Sequence, residues 1–178
     1  MLQKSNTSRV LGVFFVEPSK EHYLINISRN IKVAHTSVKR NLAKLVKSGL
    51  VSRELQKKGK RNFPVYKAVN SSRVFRRYKM LYNITSILES GLIDFLEEKI
   101  APKSIVLFGS YRRGEDLEES DIDLFIEGIE EKPDVRFFER KLKRKIQLHF
   151  KRDFKSYPKE LKNNIINGIV LHGFLEGY

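Results

Sequence analysis

The alternation of apolar and polar residues is clearest between residues 35 and 48. Four apolar residues in this segment recur at the spacing of one helix face, namely Val38, Leu42, Leu45 and Val46. That spacing is typical of an amphipathic helix that packs one side against a core. Gly49 follows the pattern, and glycine in this position often adopts the left-handed conformation that ends a helix. We therefore expect a helix over 35–48.

Shorter patterns lie on both sides of this helix. Before it, Leu24, Ile27 and Ile31 predict a second, shorter helix, joined to the first by a turn at 32–34. After it, residues 51–55 and 63–66 read as strands. These strands flank a predicted turn over 57–61, which has a glycine at its centre and four positive charges. The predicted order is helix, tight turn, helix and basic hairpin.

The segment 72–99 contains no proline, and its apolar residues recur at helical spacing. Gly91 is expected to divide it into two helices, with a domain boundary in the first. The apolar stripe of that first helix comprises Phe75, Met80, Leu81, Ile84, Ile87 and Leu88. Such a stripe is more typical of a core or a dimer interface than of a cofactor pocket.

Two later patterns predict buried strands. Residues 105–108 form a continuous apolar run that ends at Gly109. In residues 121–126, apolar and acidic residues alternate, so Asp121 and Asp123 should project from one face of a strand and the isoleucines and leucine from the other. A helix around Phe138 and a further strand over 145–150 are expected after them.

Composition narrows the class of protein. The chain has 178 residues, of which 40% are hydrophobic, so it can bury a core as one domain or two small ones. It contains no cysteine, which excludes disulfide frameworks, thiolate zinc sites and cysteine nucleophiles. Its longest apolar stretch, VLGVFFV at 10–16, is far shorter than the roughly 20 residues of a membrane-spanning helix. We expect a buried first helix, no membrane contact and a cytoplasmic location.

Charge is distributed very unevenly along the chain. The whole sequence has a net charge of +14. Residues 1–70 hold fifteen Lys and Arg but only three acids, a net charge of +12, whereas residues 71–178 have a net charge of +2. This asymmetry indicates two modules, of which the first meets a polyanion.

Residues 8–69 resemble a winged helix-turn-helix DNA-binding domain. In such domains the second helix lies in the major groove and the hairpin contacts phosphate or the minor groove. The resemblance implies double-stranded DNA as a partner, contacted by His35, Thr36, Ser37, Lys39, Arg40, Lys44, Lys57, Lys58, Lys60 and Arg61. A protein-interaction module with a solvated basic helix is the alternative, but +12 in 70 residues is costly self-repulsion unless a polyanion relieves it. Paired half-sites on DNA would favour a homodimer.

The two aspartates predict a site with chemistry. Carboxylates at Asp121 and Asp123 would repel each other unless a divalent cation lay between them. Mg²⁺ suits such a pair because it accepts one or two carboxylates together with phosphate oxygens. Gly109 and Ser110 end the preceding strand, where a glycine lets phosphate approach the backbone. An Asp-x-Asp pattern alone is weak evidence for a metal-nucleotide site. The combination of Phe-Gly-Ser, a ten-residue gap and Ser-Asp-Ile-Asp-Leu is strong evidence for one.

This combination resembles the polymerase-beta-like nucleotidyltransferase superfamily, in particular its minimal branch, over residues 87–175. The resemblance implies that Asp121 and Asp123 are catalytic and hold Mg²⁺, and that the nucleoside triphosphate is bound by Gly109, Ser110, Arg113, Gly114 and Ser120. It implies transfer of NMP, with ATP as the expected donor, to an acceptor hydroxyl, conceivably on a protein, with release of pyrophosphate. Residues 167–171 resemble the C-terminal helix of that branch.

One departure from the family concerns mechanism. Active members carry a third carboxylate on a later strand, and Gln147 stands at the position where we expect it. An amide cannot act as a base near neutral pH. His149 lies two residues further on and could take a proton instead, although a lone histidine is more often a packed or surface residue. Glu127 is roughly 13 Å along the strand from Asp123, too far for the same metal ion.

Together these patterns predict an α+β protein. It should comprise a winged helix-turn-helix domain over 1–70, a linking helix over 71–86, and a nucleotidyltransferase-like domain over 87–178 with a mixed sheet flanked by helices. The expected function is a DNA-binding, Mg²⁺-dependent nucleotidyltransferase. The alternative is a transcriptional regulator whose transferase-like domain is catalytically degenerate and serves as a nucleotide sensor or protein-docking module.

Overall fold

The chain divides into two compact units. The computed structural model describes residues 5–152, 154 and 159–176, apart from the side chains of Lys58 and Glu160. Unit 1 comprises Met1–Lys79 and unit 2 comprises Met80–Tyr178. The division falls inside helix α4 (Arg73–Ser90).

Unit 1 consists of three helices and a small antiparallel sheet. Its elements before α4 are α1 (Asn6–Val16), β1 (His22–Tyr23), α2 (Leu24–Ile31), α3 (His35–Lys47), β2 (Val51–Lys58) and β3 (Arg61–Ala68). The strands lie in the order β1-β3-β2. Both predicted helices are confirmed, and Lys32 adopts a left-handed conformation, with φ of 51°, in the turn between them.

Helix α3 packs as its sequence pattern predicts. Val38 and Leu42 are completely buried and Leu45 is nearly so. Gly49, with φ of 68°, follows the helix in the left-handed region. Near its middle, α3 is linked to α1 by Asn41, a buried residue whose Oδ1 accepts a hydrogen bond of 2.6 Å from the Thr7 hydroxyl. This hydrogen bond adds a directional contact between α3 and α1 to the apolar packing of the two helices.

The hairpin is longer than the pattern indicates. Strands β2 and β3 pair from Val51↔Ala68 out to Lys58↔Arg61, so only Gly59 and Lys60 remain in the turn. The expectation of a turn over 57–61 was therefore too wide. Polar Lys and Arg residues can continue a solvent-exposed ladder because backbone pairing, and not side-chain burial, holds the tip together. Gly59 supplies the positive φ, 61°, that the tight turn needs.

Helix α4 ends where the sequence predicts. Gly91, with φ of 83°, separates it from α5 (Leu92–Ile100). The apolar stripe of α4 is divided between two environments, since Ile87 is completely buried whereas Leu81 and Leu88 remain 55% and 51% exposed.

Unit 2 is built on a four-stranded mixed sheet. Its remaining elements are β4 (Ser104–Phe108), α6 (Gly109–Arg113), β5 (Ile122–Glu127), α7 (Arg136–Leu142), β6 (Ile146–Lys151), α8 (Lys159–Ile166) and β7 (Ile169–Gly173). The strand order is β6-β5-β4-β7. Strands β5 and β6 are parallel, and the other pairs are antiparallel. The mixed α+β architecture expected for this half is confirmed.

Apolar side chains cover both faces of this sheet. On one face, Ile122, Leu124 and Ile126 join a core cluster that also contains residues of α5 and α7. On the other face, Phe125 packs in a separate cluster with Val106, Phe108, Phe154 and Ile165. Strands β4 and β5 are therefore buried on both faces. Polar side chains on these strands need hydrogen-bond partners or a position at the solvent-exposed edge of the sheet.

The C-terminal segment corrects one expectation. Residues 167–171 were expected to form a helix, but Ile169–Gly173 form strand β7, which pairs with β4. Helix α8 ends just before it at Ile166. The reason is that Ile169 and Val170 are β-branched, which favours a strand. In addition, the backbone groups on the edge of β4 that faces away from β5 would have no strand partner without β7. Within the described residues, no helix combines the length and apolar character needed to cross a bilayer.

Candidate active site

The two aspartates lie together at the beginning of β5. Asp123 is the second residue of the strand, and Asp121 immediately precedes it. Ile122 and Leu124, which alternate with them, are completely buried, whereas both aspartates are partly exposed. The structure thus confirms the predicted orientation, with two carboxylates on one face of the sheet and apolar side chains on the other.

A glycine lies directly against one of these carboxylates. Phe108, the last residue of β4, pairs in register with Asp123, and Gly109 follows it with φ of 76°. A methyl group at Gly109 would collide with the Asp123 carboxylate. Both the backbone conformation and the close approach therefore require glycine. Ser110 follows Gly109 in the first turn of α6 and is partly exposed.

The neighbouring strand β6 contributes a partner to each aspartate. The amide Nε2 of Gln147 donates a hydrogen bond of 2.5 Å to Oδ2 of Asp121. The ring Nε2 of His149 lies 3.2 Å from Oδ1 of Asp123, and the ring packs against Phe108 with centroids 5.2 Å apart. The parallel pairing explains these contacts, because it places Gln147 directly beside Asp123 in register.

The other residues predicted to bind nucleotide shape the loop between α6 and β5. Arg113 is exposed, and its Nε lies 2.8 Å from the Glu115 carboxylate. Gly114, with φ of 68°, ends α6 in the left-handed conformation. The Ser120 hydroxyl accepts a 2.9 Å hydrogen bond from the Leu117 amide, which closes the turn just before Asp121.

A buried polar network, which no sequence pattern indicates, holds this loop. Asp116 is 1% exposed and accepts a 2.8 Å hydrogen bond from Asn83 Nδ2. The same Asn83 group donates to the Tyr111 carbonyl at 2.8 Å, and Arg144 Nη2 lies 3.4 Å from Asp116. Burial, reinforced by the Asp116 charge, raises the pKa of the Tyr111 phenol. Asp116 lies in an acidic stretch, so its sequence does not distinguish it from its exposed neighbours.

Glu127 lies at the far end of β5 and serves the core. It is 3% exposed, accepts a 3.1 Å hydrogen bond from the Ser104 hydroxyl and lies 3.4 Å from the Phe154 amide. These contacts engage both carboxylate oxygens and agree with the expectation that Glu127 is not part of the aspartate site.

The donor set at Asp121 and Asp123 suits a hard divalent cation. Both residues offer carboxylate oxygens, the ligands that Mg²⁺ and Mn²⁺ prefer. Within the described ranges, no group of three or more His, Cys, Asp or Glu side chains is arranged to hold a metal ion. Two carboxylates fit an ion that completes its shell with phosphate oxygens and water.

Most residues expected to contact DNA are exposed in unit 1. On α3 the exposed residues are His35, Thr36, Lys39, Arg40 and Lys44; on the hairpin they are Lys57, Lys60 and Arg61. The Lys58 side chain lies outside the described residues. Ser37 is half-buried, and its carbonyl accepts a 2.8 Å hydrogen bond from Asn41. The structure thus places the expected cations on the surface and draws Ser37 towards the helix interior.

Comparison with known proteins shows which protein family the segment with Asp121 and Asp123 matches. A family model for the nucleotidyltransferase domain matches residues 89–172. A protein of Methanocaldococcus jannaschii that is named as a candidate protein adenylyltransferase is 44% identical over 63 residues, which cover 35% of this chain and 72% of that protein. The chain belongs to the nucleotidyltransferase family.

Two further M. jannaschii proteins carry the same description. One is 50% identical over 44 residues, or 25% of this chain and 45% of that protein. The other is 62% identical over 49 residues, or 28% of this chain and 48% of that protein. The chain spans about half the length of these two relatives, so the nucleotidyltransferase likeness concerns the domain and not a whole protein.

One solved structure also overlaps with this nucleotidyltransferase. It is described as a possible transcriptional regulator from Methanosarcina mazei Go1, with a TM-score of 0.38 and 21% identity, over 55% of this chain and 79% of that chain. A similarity of this size is too low to support an inference about the fold or the function of this nucleotidyltransferase.

Proposed function

We propose that unit 2 transfers AMP from ATP to a hydroxyl group of a protein and releases pyrophosphate. The observation that carries this proposal is the placement of the Asp121 and Asp123 carboxylates on one face of β5, with Asp123 against Gly109. Nucleotidyl transfer is the chemistry of the family. Three relatives are named for adenylyl transfer to protein, which supports ATP as donor and a protein as acceptor.

Each residue has a role that its position supports. Gly109 and Ser110 bind the triphosphate, because they begin α6 directly beside the Asp123 carboxylate that would hold the metal ion. Asp121 and Asp123 hold Mg²⁺, and the bound ion supplies charge stabilisation for the attacking and leaving oxygens. Arg113 adds positive charge at the edge of the loop, while Gly114 and Ser120 fix its shape.

The chemical step exchanges one phosphorus–oxygen bond for another. The acceptor oxygen forms a bond to the α-phosphorus of ATP, and the bond from that phosphorus to the pyrophosphate oxygen breaks. The proton of the acceptor hydroxyl passes to water or to the departing pyrophosphate. There is little covalent work for the protein in such a transfer, so catalysis depends on positioning and charge. Gln147 and His149 contribute by holding the two carboxylates from β6.

The test is transfer of label from ATP that carries ³²P at the α-position. The full chain is incubated with Mg²⁺ and peptides that contain serine, threonine or tyrosine, in parallel with Asp121→Asn. Glu119→Gln is the matched control, because it removes an exposed carboxylate two residues away. Label on peptide with wild type and the control, but not with Asp121→Asn, supports the proposal. Equal labelling by all three proteins would exclude this site.

We further propose that unit 1 is a winged helix-turn-helix module that binds double-stranded DNA. Its helix order, its three-residue connection between α2 and α3, and its basic hairpin support this. The three acids of the unit are already engaged: Glu17 with Lys20 at 2.7 Å, and Glu21 and Glu54 with Lys67 at 3.0 and 3.1 Å. The cations of α3 and of the hairpin therefore need an external anion to balance them.

The two proposals can fail separately. If Mg-ATP changes DNA affinity while no pyrophosphate is ever released, the chain is a regulator with a degenerate transferase domain that senses nucleotide. Electrophoretic mobility shifts of a duplex library at several salt concentrations, with and without Mg-ATP, measure the first quantity. Pyrophosphate formation with any acceptor would count against the sensor interpretation.

A further inference from the structure

The side chain of Gln147 is in direct contact with one of the two carboxylates. Its Nε2 atom donates to Asp121 Oδ2 over 2.5 Å, and the parallel register with β5 fixes its backbone beside Asp123. The Gln147 side chain is exposed, so core packing does not determine which residue type can stand at this position. Among all positions on β6, this is the one whose side chain could add a third oxygen ligand or a third negative charge at Asp121.

The number of carboxylates at the site therefore depends on the residue at this position. Asp121 and Asp123 supply two negative charges, and the carboxylate of Glu127 is engaged by Ser104 and the Phe154 amide at the other end of β5. A glutamine adds neither a charge nor a strong ligand. Two carboxylates and an amide leave much of the shell of a divalent cation to water, and Mg²⁺ in such sites depends on substrate phosphates for the rest.

We propose that Gln147 makes metal binding dependent on the nucleotide. The protein alone holds a divalent cation weakly, and the cation is retained tightly only when a triphosphate completes its ligands. Gln147 is thus a positioning residue: it fixes Asp121 through its amide and adds no third carboxylate to the site. This inference rests on the proposed function for the identity of the nucleotide, but it concerns binding and not turnover.

The test uses Mn²⁺ as the probe, with free Mn²⁺ measured by electron paramagnetic resonance on the full-length chain. Wild type is titrated alone and with a non-hydrolysable ATP analogue, and Asp121→Asn defines binding elsewhere on the protein. The expected result for wild type is binding that tightens at least about tenfold when the analogue is present. Equally tight binding with and without the analogue would overturn the proposal.

The decisive variant is Gln147→Glu, which places a third carboxylate beside Asp121. We expect it to bind Mn²⁺ at least about tenfold more tightly than wild type without nucleotide. The matched control is Lys145→Gln, which makes the local charge more negative by the same one unit but adds no carboxylate ligand; it should change the affinity less than about threefold. Equal affinities of Gln147→Glu and wild type, or an equal gain in the control, would contradict the proposal.

Two features keep the test interpretable. Gln147→Glu brings two carboxylates together in the metal-free protein and could impair folding, so Gln147→Asp, with a shorter side chain, takes its place if Gln147→Glu does not fold. A gain in Mn²⁺ affinity in the folded variant supports the proposal, and no gain in that variant opposes it. A failure of AMP transfer in the labelling assay would refute the proposed reaction and leave these binding results unaffected. The two failures are therefore distinguishable.

Discussion

The two units of the chain differ most in how they use charge. Unit 1, Met1–Lys79, contains nineteen Lys and Arg and three acids, a net charge of +16, whereas unit 2, Met80–Tyr178, contains sixteen and eighteen, a net charge of −2. The structural division is sharper than the division of the sequence at residue 70, because the four bases between 71 and 79 fall in unit 1.

Unit 2 balances its charges almost evenly, whereas unit 1 carries a large excess of positive charge. In unit 2, Arg144 accompanies the buried Asp116, and hydrogen bonds from Arg136 lower the pKa of the exposed Asp134 to about 2. In unit 1, the only three acids contact Lys20 and Lys67. This difference supports the proposals above, in which unit 1 binds the polyanion and the chemistry of unit 2 depends on the Asp121 and Asp123 carboxylates.

The largest effect should come from Asp123→Asn in unit 2. We expect AMP transfer to fall by about a thousandfold or more, because the substitution removes one of two metal-binding carboxylates while preserving shape. DNA affinity should stay within twofold of wild type. Rates of α-³²P transfer and mobility shifts measure the two quantities, with Glu119→Gln as the control. A loss of DNA binding in the same variant would contradict the proposal that AMP transfer belongs to unit 2 and DNA binding to unit 1.

The next largest effect concerns stability. Asp116→Ala would leave the buried Arg144 without its carboxylate partner, and removing one member of a buried ion pair typically costs about 3–5 kcal/mol. Hydrogen exchange followed by mass spectrometry should show loss of protection in β4 and β5 of unit 2, with α3 of unit 1 unaffected. The control is Asp134→Ala, which breaks an exposed pair and should change protection little. Equal effects of the two substitutions would contradict the structural role of Asp116.

A smaller effect is expected from the hairpin of unit 1. Replacing Lys57, Lys60 and Arg61 by Ala should weaken duplex DNA binding by about ten- to a hundredfold and reduce the slope of log affinity against log salt by up to about 2.7. AMP transfer should be unchanged. The control removes the same charge from unit 2 through Lys99, Lys132 and Arg140, all exposed. An unchanged slope in the hairpin variant would remove it from the contact surface.

The smallest effect should come from Lys67→Ala. This residue lies near the hairpin cations in sequence, but its contacts with Glu21 and Glu54 raise the pKa of its ammonium group and balance its charge locally. We expect DNA affinity to change less than about threefold. A loss of DNA affinity as large as that of the hairpin variant would contradict this expectation. It would mean that the contribution of a cation to DNA binding depends on its position along β3 and not on its pairing with nearby acids.

Periodicity and local motifs predicted the parts of the fold whose signal is contained in a short stretch. The helix stripe at Val38 and Leu42 and the acidic alternation at Asp121 and Asp123 were confirmed, because the spacing of such residues follows from helix and strand geometry alone. Strand β7 was missed, because a short apolar segment adopts the structure that its neighbour β4 offers.

The contacts of the site were beyond prediction for a related reason. Gln147 reaches Asp121 across 26 positions of sequence, and Asn83 reaches Asp116 across 33. Such pairs depend on strand register and on how distant segments pack, and a single sequence records neither. The sequence did identify Gln147 as the position to examine, but not its hydrogen bond.

We propose that the carboxylate pair of unit 2 performs adenylyl transfer. The stoichiometry of the reaction with wild-type protein, Mg²⁺ and a hydroxyl-bearing peptide tests this proposal. Pyrophosphate and AMP-peptide should appear in equal amounts, and both should be absent with Asp123→Asn and after addition of EDTA. Label from the γ-phosphate on the peptide, or AMP-peptide formed equally well by Asp123→Asn, would contradict it.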